Sequence, residues 1–198
     1  MDNKELLNEY RKQIESNEKL ETAFRDECDF NFRDDLDVKE DILICGEESN
    51  YDIYPFGKDS MGGVYCLLDD KYVGYISSEG GCGIIAKNVK DFFNLMAVCR
   101  TLSYYFNKGT FDNLLIFAQK YEEIEADLTP EESLPLYEEF IKQNNFETEI
   151  SKIYKMFKEA LIIEPSFILQ ANPEEYEPWD DVFYTNQEYI KKLREENK

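Results

Sequence analysis

The chain has 198 residues, with 22 Lys and Arg against 43 Asp and Glu, a formal charge of −21, no histidine, 14 Phe and 14 Tyr. That much apolar and aromatic material closes a core, so the chain is a globular protein and not a disordered acidic tail. The missing imidazole removes Ser-His-Asp and Cys-His nucleophile activation and histidine-ligated metals, and the charge repels phosphate backbones and anionic membrane surfaces.

In chain order, Lys4 to Phe24 carries Leu6, Leu7, Tyr10, Ile14, Leu20 and Phe24 at near-helical spacing, interrupted at Ser16-Asn17, which predicts an amphipathic helix. Short apolar or alternating runs follow at Asp41 to Gly46, Tyr51 to Phe56, Val64 to Leu68, Tyr72 to Ser77 and Gly83 to Ala86, bounded by Gly, Asp, Asn and Pro. They read as strands. Asp69-Asp70 sits between two of them like a two-residue hairpin turn without the usual glycine. Strands joined this tightly are antiparallel, so residues 41–86 predict a meander.

From Asn88 the period turns helical. Asn88 is a cap with Asp91 in the capping-box position, and Phe92, Phe93, Leu95, Met96 and Cys99 form one apolar side of a helix over 88–106. Helices are also predicted at Phe111 to Ala126, after Thr129-Pro130-Glu131-Glu132, at Glu149 to Ile162 and near Thr185 to Glu195. Pro165, Pro173 and Pro178 around Trp179 predict an extended strap. The expected fold is α+β: one domain over 1–198, a core over 1–106 with a small antiparallel sheet of four to six strands packed against helices, and a helical extension over 107–198.

Charge divides the chain. Residues 26–52 hold eleven acids and two bases, residues 121–150 ten and one, while residues 53–110 hold five and six. Eight of nine glycines lie between Gly46 and Gly83, where turns concentrate. The N-terminal residues show no leader and no run is apolar enough to span a membrane, so a cytoplasmic location is expected. Cys28, Cys45, Cys66, Cys82 and Cys99 form no C-x-x-C pair and read as reduced, buried hydrophobes, with glycine-flanked Cys82 the best candidate for an exposed thiol.

Three sharper motifs fail on their own chemistry. Asp29-x-Asn31-x-Arg33 with Glu40 imitates a calcium loop, but Arg33 occupies a ligand position and Asp34 stands where glycine is needed. Gly80-Gly81-Cys82-Gly83 runs into a predicted strand and not into a helix N-terminus, so it reads as a turn and not a phosphate cradle. Paired carboxylates are so abundant that none is singled out. No cofactor and no metal are expected.

Tyr54-Pro55-Phe56-Gly57-Lys58-Asp59, Gly62-Gly63-Val64-Tyr65-Cys66-Leu67-Leu68-Asp69, Val73-Gly74-Tyr75-Ile76-Ser77-Ser78-Glu79-Gly80, Gly83-Ile84-Ile85-Ala86 and Phe92-Phe93-Asn94-Leu95 follow one another at a spacing that resembles the SUKH superfamily. That superfamily contains the Smi/Knr-like cell-wall regulators of yeast and many bacterial immunity proteins. The resemblance covers roughly residues 40–100, and Gly63-Val64 departs from the Gly-Asp step of many members. It implies an α+β domain without catalytic residues that binds and neutralises a toxin, often a nuclease.

The acidic blocks at 26–52 and 121–150 admit two readings: a solvated face that keeps the chain soluble, or complementarity to a basic toxin domain. Tyr51, Tyr54, Tyr121 and Tyr137 lie among those acids, as interface anchors or as core residues. The expected partner is a cognate, basic protein toxin domain, with no direct nucleic acid and no membrane. Glu47, Glu48, Asp52, Asp69, Asp70 and Glu79, at predicted strand ends and turns, are the candidate partner-binding residues. Two other classes stay open: a regulatory scaffold for several partners, and an enzyme using carboxylates or an oxygen-ligated metal, which no spaced ligand set favours.

Overall fold

A computed structural model describes residues 2–33, 48–78, 81–128, 132–170 and 187–197. It shows an α+β fold. Helices α1 (Asn3–Glu15) and α2 (Glu18–Cys28) come first, then strands β1 (Asn31–Phe32), β2 (Glu48–Ser49), β3 (Ile53–Lys58), β4 (Val64–Leu68), β5 (Tyr72–Ile76) and β6 (Cys82–Ala86). Helix α3 (Val89–Cys99), a 3-10 turn at Leu102–Tyr105, α4 (Leu114–Asp127), α5 (Leu134–Gln143), α6 (Ile150–Leu161), strand β7 (Leu169–Gln170) and α7 (Gln187–Glu196) complete the order.

The predicted single N-terminal helix is two helices, and local chemistry sets the break. Ser16 closes α1, and the Asn17 side chain accepts from the amides of Lys19 and Leu20 to cap α2. Asp2 opens α1 with a reciprocal capping box to Glu5, and Asn88 caps α3 by accepting from Asp91 N at 2.8 Å.

The main sheet has strand order β1-β3-β4-β5-β6, and every neighbouring pair is antiparallel. Its first strand is Asn31–Phe32, which the sequence pattern did not single out. The predicted strand at 41–46 lies outside the described residues. Phe56, Tyr65, Leu67, Val73, Tyr75 and Ile85 belong to a large core with α1, α2 and α3, while Val64, Cys66, Leu68, Ile76, Cys82 and Ile84 form a second core with Tyr51, Ala160 and Phe167. Both faces are therefore covered, which is why β4 and β6 are buried at every position.

The large core runs from Leu7 to Leu193 and takes in Phe117, Tyr137, Phe140, Ile153 and Phe157 from the later helices. The region after 106 is not purely helical: β7 pairs antiparallel with β2, Ser49 facing Leu169 and Glu48 facing Gln170. Two residues are too few for a period-2 pattern, and the partner strand supplies the order. That returning segment also buries Cys82, which is only 2% accessible and whose thiol donates to Phe167 O. The expectation of an exposed thiol there is thus corrected. Cys28, Cys66 and Cys99 are likewise buried.

Candidate functional site

Three of the six nominated acids, Asp52, Asp69 and Asp70, meet at one end of the main sheet. Asp69 and Asp70 form the β4–β5 turn, both left-handed at φ of 51° and 54°, closed by Lys71 N donating to Leu68 O at 2.9 Å. Aspartate tolerates that conformation better than most side chains, which explains a tight turn without glycine. Asp52 precedes β3 on the neighbouring strand. Its amide donates to Asp69 Oδ1 at 2.8 Å, and Asp69 N returns a bond to Asp52 O at 2.9 Å.

The turn is also held from outside the sheet by residues that nothing in the strand pattern marks. The Asn3 side-chain amide donates to Asp70 O at 3.1 Å and to Lys71 O at 2.8 Å, and its Oδ1 accepts from Val89 N at 3.1 Å. Lys4 pairs with the Asp70 carboxylate at 2.8 Å and lies 4.9 Å from the centre of the Tyr54 ring. The hydrogen bond to Asp70 holds the Lys4 pKa above its ordinary value. This end of the sheet is therefore a rigid, mixed surface in which exposed carboxylates are interleaved with Lys4 and Lys71.

The other three candidates are not brought together by what the structure describes. Glu47 and Glu79 lie outside the described residues. Glu48 contributes its backbone to the β2–β7 pair. Ser77 N donates to Gly81 O at 2.7 Å at the opposite end of the sheet from Asp69.

That opposite end is organised by a buried carboxylate. Asp59 accepts from Gly63 N at 2.7 Å and from the Tyr75 hydroxyl at 2.5 Å, closing the β3–β4 hairpin. A Cβ on Gly63 would fall 2.0 Å from Tyr75 Oη, so the second glycine of the pair is required for close approach. Asp29, the first residue of the calcium-like motif, accepts from Ser60 N and Oγ at 2.9 and 3.0 Å and ties α2 to the same hairpin. Among the described residues no group of three or more Cys, Asp or Glu is placed to hold a metal ion.

The tyrosines divide between core and surface. Tyr51 donates to Pro165 O and Tyr137 to Met96 O, each at 2.6 Å, and both are buried, whereas Tyr54 and Tyr121 are half-buried. Comparison with protein-family models, with curated proteins and with solved structures finds no match to this chain. Among the described residues no helix is long and apolar enough to cross a membrane.

Proposed function

We propose that the protein is a non-enzymatic immunity protein of the SUKH type, which binds a cognate toxin domain and blocks it by protein–protein contact. The observation that carries this reading is the Asp52–Asp69–Asp70 end of the sheet: Asp52 and Asp69 are locked together by reciprocal hydrogen bonds, one of them to the Asp69 carboxylate, and Lys4 pins Asp70, while all three aspartates stay exposed. A preorganised surface of three exposed aspartates beside Lys4 and Lys71 loses little conformational freedom on docking, and its pattern of charge sets the register of a partner. The ordered motifs of residues 54–95 support the same reading, because a five-stranded antiparallel sheet backed by helices is the domain they imply. Two buried carboxylates have structural partners: Asp59 fixes a hairpin and Glu27 accepts from Arg100.

Two consequences belong to the reading. The partner is a basic toxin domain and not nucleic acid, and the protein acts in the cytoplasm of the cell it protects. The test is growth protection: expression of this protein together with a toxin candidate found beside its gene is expected to restore growth, and a D52A/D69A/D70A variant to restore it less. Toxicity unrelieved by the wild-type protein would overturn the reading.

A further inference from the structure

Helix α4 opens with Leu114, Leu115 and Ile116 on the surface, 40%, 68% and 38% accessible. Successive helical residues are about 100° apart, so these three span about 200° of the circumference, and a first turn lying against the body would bury one of them. Here the first turn stands clear. Asn113 caps it by accepting from Ile116 N at 3.0 Å, and α4 enters the core only at Phe117, whose ring packs on Phe111 and Tyr105 at 5.5 and 5.4 Å. Tyr104, beside Tyr105 in the chain, is 54% accessible. Four of the six large apolar side chains exposed among the described residues thus fall between 104 and 116. Such a run of exposed apolar residues marks an interaction surface.

We propose that this face joins two copies of the chain in a symmetric dimer. The charge of the molecule selects that occupant. Residues 101–121 hold one acid and two bases in a chain of net charge −21, and the acid, Asp112, is already paired with Lys192 at 3.2 Å. A basic toxin is drawn to carboxylates, which the Asp69 end of the sheet offers and this face does not. A second copy needs the reverse. In a two-fold contact each patch meets itself, so an acidic patch repels its copy while an apolar, nearly neutral one does not. The contact is small, and the dimer it makes is therefore weak, with a dissociation constant on the order of 10–100 μM. This interface goes beyond the toxin-binding reading and does not depend on it.

Sedimentation velocity of the full-length protein over roughly 5–500 μM, at about 0.05 M and about 0.5 M NaCl, tests it. Dimer is expected to accumulate with concentration and to tighten severalfold at the higher salt, which screens the repulsion between two copies of charge −21 and leaves the apolar contact. L115S is expected to weaken the dimer by about tenfold or more, because the substitution counts twice in a symmetric contact, and L115E to weaken it further. M61S removes a side chain that is 73% accessible from the β3–β4 turn and is expected to leave the dimer unchanged. An unchanged melting temperature of each variant at high dilution shows that the fold survives. A wild type that is monomeric at every concentration and at both salts would overturn the proposal, as would a dimer indifferent to L115S and L115E or equally sensitive to M61S. The two claims fail separately. Loss of toxin protection in L115S, with a monomeric wild type, assigns the face to the toxin and removes the dimer; an L115S-sensitive dimer in a protein that protects from no toxin keeps the interface and removes the immunity reading.

Discussion

Arg100 Nη1 lies 2.8 Å from Glu27 Oε2, joining the residue that ends α3 to the last turn of α2 across 73 residues of chain. Glu125 from α4 completes the group through Arg100 Nη2 at 2.8 Å, and Ser133 donates to the other Glu27 oxygen at 3.2 Å. Burial disfavours the arginine charge, but the hydrogen bond and charge of Glu125, with Glu27 beside it, hold its pKa above the ordinary value. One buried cation thus clamps three helices.

Removing one member of that group leaves a buried charge without its partner. E27L is expected to cost about 3 kcal/mol, and R100M a similar amount, because the surviving charge is not rehydrated. An E27L/R100M double variant, which replaces the pair by apolar groups of similar volume, is expected to be more stable than either single variant. Urea denaturation of the four proteins measures it; additive losses in the double variant would show that the pair is not coupled.

Gly63 is the second place where one atom decides the structure. G63A puts a methyl group against Tyr75 Oη and the Asp59 carboxylate, and the expected loss is about 2–4 kcal/mol because the hairpin must open or the tyrosine must leave its pocket. D59N keeps the shape and weakens only the bonds to Tyr75 and Gly63, and is expected to cost about 1–2 kcal/mol. Thermal melts of the two variants should rank them in that order.

Stability should fall in alkali. Burial pushes the Cys28 thiol up from 9.0 to about 12, and burial likewise raises Cys66, Cys99 and Tyr137. The folded state then holds its protons more tightly than the unfolded state does. Stability from Cys28 is fully present below pH 9.0, where both states are protonated, and is lost as pH rises from 9.0 to about 12, at about 1.4 kcal/mol per pH unit. C28A lowers stability at neutral pH by opening a cavity but should flatten this alkaline slope. Urea midpoints from pH 7 to 11 test it, and equal slopes in both proteins would show that Cys28 is not held protonated by burial.

Helices with strong caps were legible in the sequence: Asn88 and Asp91 mark the start of α3, and the apolar side from Phe92 to Cys99 is the side that packs. The strands β4, β5 and β6 were legible from their boundaries, down to the turn at Asp69-Asp70. What escaped is what depends on distant partners. β1 and β7 are two residues each and exist because β3 and β2 pair with them, so no local pattern announces them. Cys82 looked exposed between glycines because the residue that covers it, Phe167, lies 85 positions away. The same limit applies to the candidate surface. Asp69 and Asp70 were found as turn residues, but Asn3 and Lys4, which pin that turn, belong to the first turn of a helix whose periodicity says nothing about the sheet. The clamp at Arg100 needed three helices to be placed before Glu27 and Glu125 could be seen as its partners.

The most direct measurement is the affinity of the purified toxin domain for the wild-type protein and for D52A/D69A/D70A, by calorimetry at low and moderate salt. A one-to-one complex is expected with the wild type, weakened by salt and weakened by about tenfold or more in the triple variant, since charged interface pairs contribute through steering and register. Equal affinity of the two proteins at both salts would contradict the claim that this end of the sheet is where the toxin docks.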